Sequence, residues 1–330
     1  MRITFLTIIA VAAFVSPAVS AGMLITSSDD NVQDQCTPEN KNAWYEEFIK
    51  IRTTDQAKAF ELARKHLACP PGTEVPEAQQ KITDYLKKWT TAYEEGSKKG
   101  QLRDLLYNKQ KYAEAYELGR QIVATEPDNL KVLVDLGANG YLLSPLKNPQ
   151  LNAEALAYAQ KALQLIDAGK VVDDWQPLAG KDAASAYLNF TIATLTIEKD
   201  PTNALGNLIK AAQVETPLKK SPYTYAYIAG AYETGAYAKL SEEYKRLYAD
   251  KDETSESKAA LAKINEVVDR MIDGYARAVA LAGTDARFAN VKQTWLESLT
   301  TWYKYRHDNS DAGLTEFIAT IVSKPLPPQP

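Results

Sequence analysis

Residues 111–141 read KYAEAYELGRQIVATEPDNLKVLVDLGANGY, and this stretch decides the fold. Small and apolar side chains recur there at spacings of three and four, which is one face of a helix: Tyr112, Ala115, Gly119 and Ile122. The two small residues in the middle of that face allow a second helix to approach closely. The run from Glu126 to Asn129 ends the helix, because Pro127 lacks an N–H and disfavours helical backbone at the residue before it.

A second helix is predicted to follow this break. Either Asp128 or Asn129 supplies the side-chain oxygen that accepts a hydrogen bond from the first free N–H groups. The buried side of the helix is predicted to be apolar or small throughout, and it comprises Val132, Leu133, Leu136, Gly137, Gly140 and Tyr141. The stretch therefore predicts two helices packed as a hairpin.

This arrangement resembles a tetratricopeptide repeat, with a Tyr-x-x-Ala start, a terminal proline and Leu-Gly in the next helix. The pattern recurs around Ala155 and Ala204 and more weakly elsewhere. The chain departs from the family where Trp is usual in the first helix, since Leu133, Leu188 and Tyr225 stand there. The resemblance implies an all-α chain, an α-α solenoid of tetratricopeptide-like helical hairpins, over residues 41–323.

The first 21 residues have the character of a secretory signal peptide. Arg2 gives a positive start, Ile3–Val15 is nearly all apolar, and Pro17–Ala21 is rich in small residues. The apolar run is too short for a stable membrane span. Residues 22–40 are polar and predicted to be irregular, and no transmembrane segment is expected later. The chain is therefore predicted to be exported, either to a periplasm or out of the cell.

Cys36 and Cys69 are the only two cysteines. In an exported chain an even pair predicts a disulfide, which would close a loop of 33 residues. Two independent thiols are the alternative.

Several helix boundaries are predicted from local signals. Gly96–Gly100 is expected to break or kink the helix that starts at Pro76, and Asn152 is expected to cap the helix that carries Ala155. Pro222–Thr234 and Tyr237–Tyr248 are expected to form a helical pair.

The last residues, 324–330, form a proline-rich tail with the sequence KPLPPQP. Such a sequence favours a polyproline conformation and can serve as the ligand of a groove. A frayed chain end is the more ordinary expectation.

Composition and motifs exclude several classes of function. The formal net charge is −4 over 330 residues, with no clustered basic face, so a nucleic-acid partner is not expected. His66 and His307 have no second ligand at metal spacing, and no phosphate loop, nucleophile elbow or dinucleotide fingerprint occurs. We therefore expect no catalytic residues, no metal and no cofactor.

Tyrosine is unusually frequent, with 19 Tyr against 7 Phe, and tyrosine suits a half-exposed binding surface. The resemblance implies that a protein or peptide partner binds in a concave groove lined by the first helix of each repeat. By that register Tyr225 and Tyr232 lie between helices. The groove would be lined by Lys131, Tyr141, Asn189 and Tyr223, together with Val134, Ala138 and Ala193.

The sequence thus predicts an exported interaction scaffold or adaptor that performs no chemistry. The Lys and Asn pattern with which family members clamp a carboxy-terminal carboxylate is missing, which argues against that class of partner. The alternative is a soluble extracytoplasmic ligand- or glycan-binding protein that uses Trp175 with Asp173 and Asp174. The same three residues also fit a solvated turn with one anchoring Trp. The identity of the partner and the oligomeric state stay open.

Overall fold

The computed structural model of the chain describes residues 36–70, 76–142 and 149–329. Those residues are helical with connecting turns, and no strand occurs among them, so the all-α prediction is confirmed. The solenoid arrangement stays a prediction. The predicted signal peptide and most of the polar segment after it lie outside the described residues.

The chain divides into two compact units, one up to Asp104 and one from Leu105 onward. The first unit contains α1 (Pro38–Ile51), α2 (Gln56–Ala68) and α3 (Glu77–Arg103). A π-helical turn follows at Asp104–Asn108. The second unit contains α4 (Tyr112–Thr125), α5 (Leu130–Ala138), α6 (Pro149–Asp167), α7 (Lys181–Thr196), α8 (Pro201–Gln213), α9 (Pro222–Tyr232), α10 (Ala238–Tyr248), α11 (Ser255–Ala282), α12 (Ala289–Arg306) and α13 (Leu314–Ile321).

The first unit is held by a small apolar core and a cysteine pair. The α2 helix packs on both α1 and α3, and the fully buried residues are Phe48, Ala59, Ala63 and Leu86. Cys36 and Cys69 are paired in a disulfide, with their Cα atoms 5.5 Å apart. Helix α3 runs through Gly96 and Gly100 without interruption, so the predicted break is wrong. Glycine weakens a helix by about 1 kcal/mol, which does not stop it where no proline follows.

In the second unit, helices that are neighbours in sequence pack against each other from α4 to α9, and α5 also packs on α7. Asn129 caps α5 as predicted, with its Oδ1 accepting from the Val132 N–H at 3.1 Å. Asn152 does not cap α6, because that helix begins three residues earlier, at Pro149. Proline is favoured at the first helical position, where no N–H is needed.

Glycine and alanine bring α5, α6 and α7 close together. A Cβ on Gly137 would lie 2.8 Å from the Cα of Ala159, and one on Gly140 would lie 2.6 Å from the Thr191 methyl carbon. Ala155 and Ala159 are completely buried. The small-residue pattern of the sequence therefore marks helix contacts, as predicted.

The segment from Pro222 to Tyr248 is one continuous helix in which α9 and α10 are joined by a π-helical turn at Glu233–Tyr237. The predicted helical pair is wrong here, because Gly230 and Gly235 weaken the helix only slightly and no proline follows Pro222 within it. The long helix pairs instead with α11, which also contacts α12 and α13.

The proline-rich tail is not frayed. Its Leu326 packs against the core of the second unit, and two arginines of α11 donate hydrogen bonds to its backbone. Within the described ranges, no helix combines the length and apolarity that crossing a membrane requires.

Candidate functional site

Aromatic rings from several helices of the second unit lie close to one another in a row. The ring of Tyr141, just after α5, lies 6.1 Å from Tyr187 and 5.3 Å from Phe190, both on α7. The centre of Phe190 lies 6.1 Å from that of Tyr227 on α9. These distances are those of favourable edge-to-face and tilted ring pairs.

The series continues along α9 to α12. Tyr223 and Tyr227 are four residues apart, so they lie one above the other on α9. The Tyr223 ring meets Phe288 at 5.6 Å and Trp295 at 5.5 Å, edge to face in both cases. We call this set the aromatic row; it comprises Tyr141, Tyr187, Phe190, Tyr223, Tyr227, Phe288 and Trp295.

Backbone contacts fix the start of the aromatic row. The Tyr141 N–H donates to Oγ1 of Thr191 on α7 at 3.2 Å, while Gly140 packs directly on Ala155. A side chain at position 140 would push the end of α5 away from α6. Tyr141 therefore reaches the α7 rings because the preceding residue has no side chain.

Every ring of the aromatic row except Phe190 is half-buried, so each tyrosine rests on apolar neighbours and still meets water. Burial raises the pKa of Tyr141 to about 12 and raises the pKa values of Tyr187 and Tyr227 as well. At neutral pH these hydroxyls are uncharged and can both donate and accept hydrogen bonds. The aromatic row thus presents apolar ring surface together with uncharged tyrosine hydroxyl groups.

A buried carboxylate lies near the start of the aromatic row. Asp135 is 1% exposed. Its Oδ1 accepts from the Tyr107 hydroxyl at 3.0 Å and from the Lys131 ammonium, and its backbone carbonyl accepts from Nδ2 of Asn139 at 2.8 Å. A buried charge requires such partners. Lys131 therefore balances the charge of Asp135.

The predicted groove residues are only partly brought together. Tyr141 and Tyr223 both belong to the aromatic row. Asn189 is buried, and its Nδ2 donates to the Ser185 carbonyl at 2.7 Å, so its side chain is bonded to the backbone of its own helix. The prediction that further residues line the groove is wrong for three of them, which are at most 3% exposed: Val134, Ala138 and Ala193.

Sequence reasoning missed Tyr187, Phe190 and Trp295. A usable signal existed for the first two, because residues three apart on a helix share a face. No such signal exists for Trp295, because its contact with Tyr223 depends on the tertiary packing of α12. The prediction that Tyr225 and Tyr232 lie between helices is confirmed, with exposures of 6% and 3%.

The loop between α6 and α7 holds the residues of the alternative site. Trp175 packs against the apolar cluster that includes Leu165 and Leu188. Asp174 accepts from the Gln176 N–H at 2.8 Å, as in a tight turn, and Asp173 is exposed. These contacts match the anchored-turn interpretation, with the Trp175 ring half-buried.

The described residues hold no cluster of His, Cys, Asp and Glu that could bind a metal ion. His66 is 4% exposed, and its burial lowers the pKa of the ring. His307 stacks on Tyr303 and forms a hydrogen bond to the Tyr303 carbonyl at 2.8 Å through Nδ1. Both histidines therefore make packing contacts within the protein.

No family model, curated protein or solved structure matches the chain.

Proposed function

We propose that this chain is an exported adaptor that binds a peptide or protein segment along the aromatic row. The observation that carries the proposal is the row of half-buried rings from Tyr141 to Trp295, packed around the buried Phe190, which spans several helices of one unit. Tyr and Trp are the side chains that contribute most to binding in protein interfaces, since each buries a large area at little entropic cost.

The tyrosine hydroxyls of the aromatic row favour a peptide ligand over a purely apolar ligand. The neutral phenols of Tyr141, Tyr187 and Tyr227 can pair with the N–H and C=O groups of an extended backbone. The rings beneath can pack on its side chains. A tetratricopeptide-like array would place this surface on the inner helices of the repeats, which is the register predicted for Tyr141 and Tyr223.

Export is part of the same proposal. The cysteine pair of the first unit is typical of oxidising compartments, and the first 21 residues have the composition of a secretory signal. The partner would then be met outside the cytoplasm.

A displayed peptide library, selected on the full chain, tests the proposal. We expect selected peptides to bind at least tenfold more weakly to a Tyr187→Ala/Tyr227→Ala variant, as measured by calorimetry. Tyr244→Ala is the matched control, because Tyr244 is also a half-buried tyrosine but its ring pairs with Tyr248 on α10, away from the row. Peptides that bind the double variant and the wild type equally would refute the proposal.

A further inference from the structure

The chain's own last residues lie against a set of side chains on the other side of α9. Residues Lys324–Gln329 run across α8, α9 and α11 in a channel lined by Ile209, Ile228, Tyr232, Arg270 and Asp273, with Arg277 at one end. We call this set of side chains the tail channel. At about 100° per residue, its α9 members Ile228 and Tyr232 lie about 100–180° around the helix from Tyr223 and Tyr227. The tail channel is therefore separate from the aromatic row.

Arg277 makes two hydrogen bonds to the backbone of the tail. Its side chain is 5% exposed, and its Nε donates to Oδ1 of Asp273 at 2.6 Å. Its two terminal nitrogens donate to the carbonyls of Lys324 at 3.0 Å and Pro325 at 2.9 Å. A buried guanidinium needs partners for its donors, and Asp273 alone leaves some of them unused. The tail supplies the missing acceptors.

The tail offers backbone carbonyl acceptors, which match the arginine N–H donors of the tail channel. Arg270 gives a third hydrogen bond, from Nε to the Pro328 carbonyl at 2.9 Å. Proline has carbonyl acceptors but no N–H, so a proline-rich strand can fill this channel without leaving a donor unpaired. Leu326 adds an apolar anchor against the core.

Most of the tail is accessible to solvent. Lys324, Pro325, Pro328 and Gln329 are exposed, and only Leu326 and Pro327 are half-buried. The charge of Arg277 stays paired with Asp273 when the tail departs. Besides the three arginine hydrogen bonds and the Leu326 side chain, the Lys324 N–H donates to the Ile321 carbonyl at 3.1 Å and the Lys324 ammonium lies 5.6 Å from the centre of the Phe317 ring.

We propose that the tail channel is a binding site for proline-rich extended segments, which the chain's own residues Lys324–Gln329 occupy until a proline-rich segment of a partner protein displaces them. The recognised features are the backbone carbonyls at the positions of Lys324, Pro325 and Pro328 and a leucine that packs on the apolar core. The tail acts as an intramolecular competitor.

Leu326→Asp tests this in the full-length chain, because it removes the anchor and leaves the channel itself unchanged. The probe is a synthetic peptide with the sequence of residues 323–329. We expect the variant to bind this peptide at least tenfold more tightly than the wild type does in calorimetry. Circular dichroism checks that the helices are intact.

Arg270→Ala, added to the Leu326→Asp chain, locates the site. It should weaken binding of this peptide several-fold but weaken much less the binding of a shorter peptide that ends at Pro327, since the hydrogen bond of Arg270 goes to the Pro328 carbonyl. The proposal is overturned if the folded Leu326→Asp variant binds the peptide no better than the wild type. It is also overturned if Arg270→Ala fails to distinguish the two peptides, or if Leu326→Asp unfolds the chain and the peptide does not restore its helices.

Discussion

Replacing Gly137 by alanine tests the close approach of α5 and α6. The new Cβ would lie 2.8 Å from the Cα of Ala159 and from Cδ2 of Leu188, and 2.9 Å from the Ala159 nitrogen. Carbon atoms normally stay about 3.5–4.0 Å apart. Because two of the three atoms belong to the α6 backbone, a side-chain rotation cannot relieve the contact, and the helices must separate.

Two opposing terms set the size of the effect. Alanine favours a helix over glycine by about 1 kcal/mol. Overpacking a tight contact costs about 1–3 kcal/mol. We therefore expect Gly137→Ala to lower the free energy of unfolding by about 1 kcal/mol net. Gly206→Ala is the matched control: Gly206 is also inside a helix, but its Cβ would meet nothing within 4 Å, so stability should rise by up to about 1 kcal/mol.

Urea unfolding followed by circular dichroism measures the difference, which should be about 2 kcal/mol between the two variants. Hydrogen exchange of peptides that cover α5 and α6 should show faster opening in Gly137→Ala alone. If Gly137→Ala stabilised the chain as much as Gly206→Ala, the argument that glycine sets the helix spacing would be wrong.

Two further predictions concern the cysteine pair and the aromatic row. Cys36→Ser/Cys69→Ser should lower the free energy of unfolding of the first unit by about 3–4 kcal/mol, from the entropy of a 33-residue loop, and should leave hydrogen exchange in α11 unchanged. A reductant should reproduce the loss in the wild type and have no effect on the double variant. Tyr141 keeps its proton in the folded chain up to about pH 12 but loses it near pH 10 when unfolded, so its contribution to stability disappears between those values. Tyr141→Phe should lose less stability across that interval in urea titrations, and it should lack the phenolate absorbance step near pH 12; an unchanged step would contradict the assignment.

The sequence predicted the local features well because short-range physics decides them. Asn129, one of the two residues predicted to cap α5, accepts from the Val132 N–H at the start of that helix. Pro127 follows the end of α4 at Thr125, as predicted from its missing N–H. The small residues Gly137 and Ala159 marked a contact, since only small side chains permit that helix spacing.

Long-range contacts account for what the sequence did not predict. The continuous helix from Pro222 to Tyr248 depends on its packing along α11, which outweighs the weak breaking tendency of Gly230 and Gly235. The tail was expected to fray because its own sequence has no helix or strand signal. Its order comes from Arg270 and Arg277, which lie about fifty residues earlier and are brought to it by the return of the chain through α12 and α13.

Helix α10 illustrates how unevenly substitutions will be tolerated along the chain. It contributes no buried residue, and it stays helical because it extends α9 and rests against α11. Substitutions in α10 and in the exposed turn at 250–254 therefore remove little packing. Over evolutionary time this arm can change its surface freely, while the glycines and alanines between α5 and α7 leave almost no room for replacement.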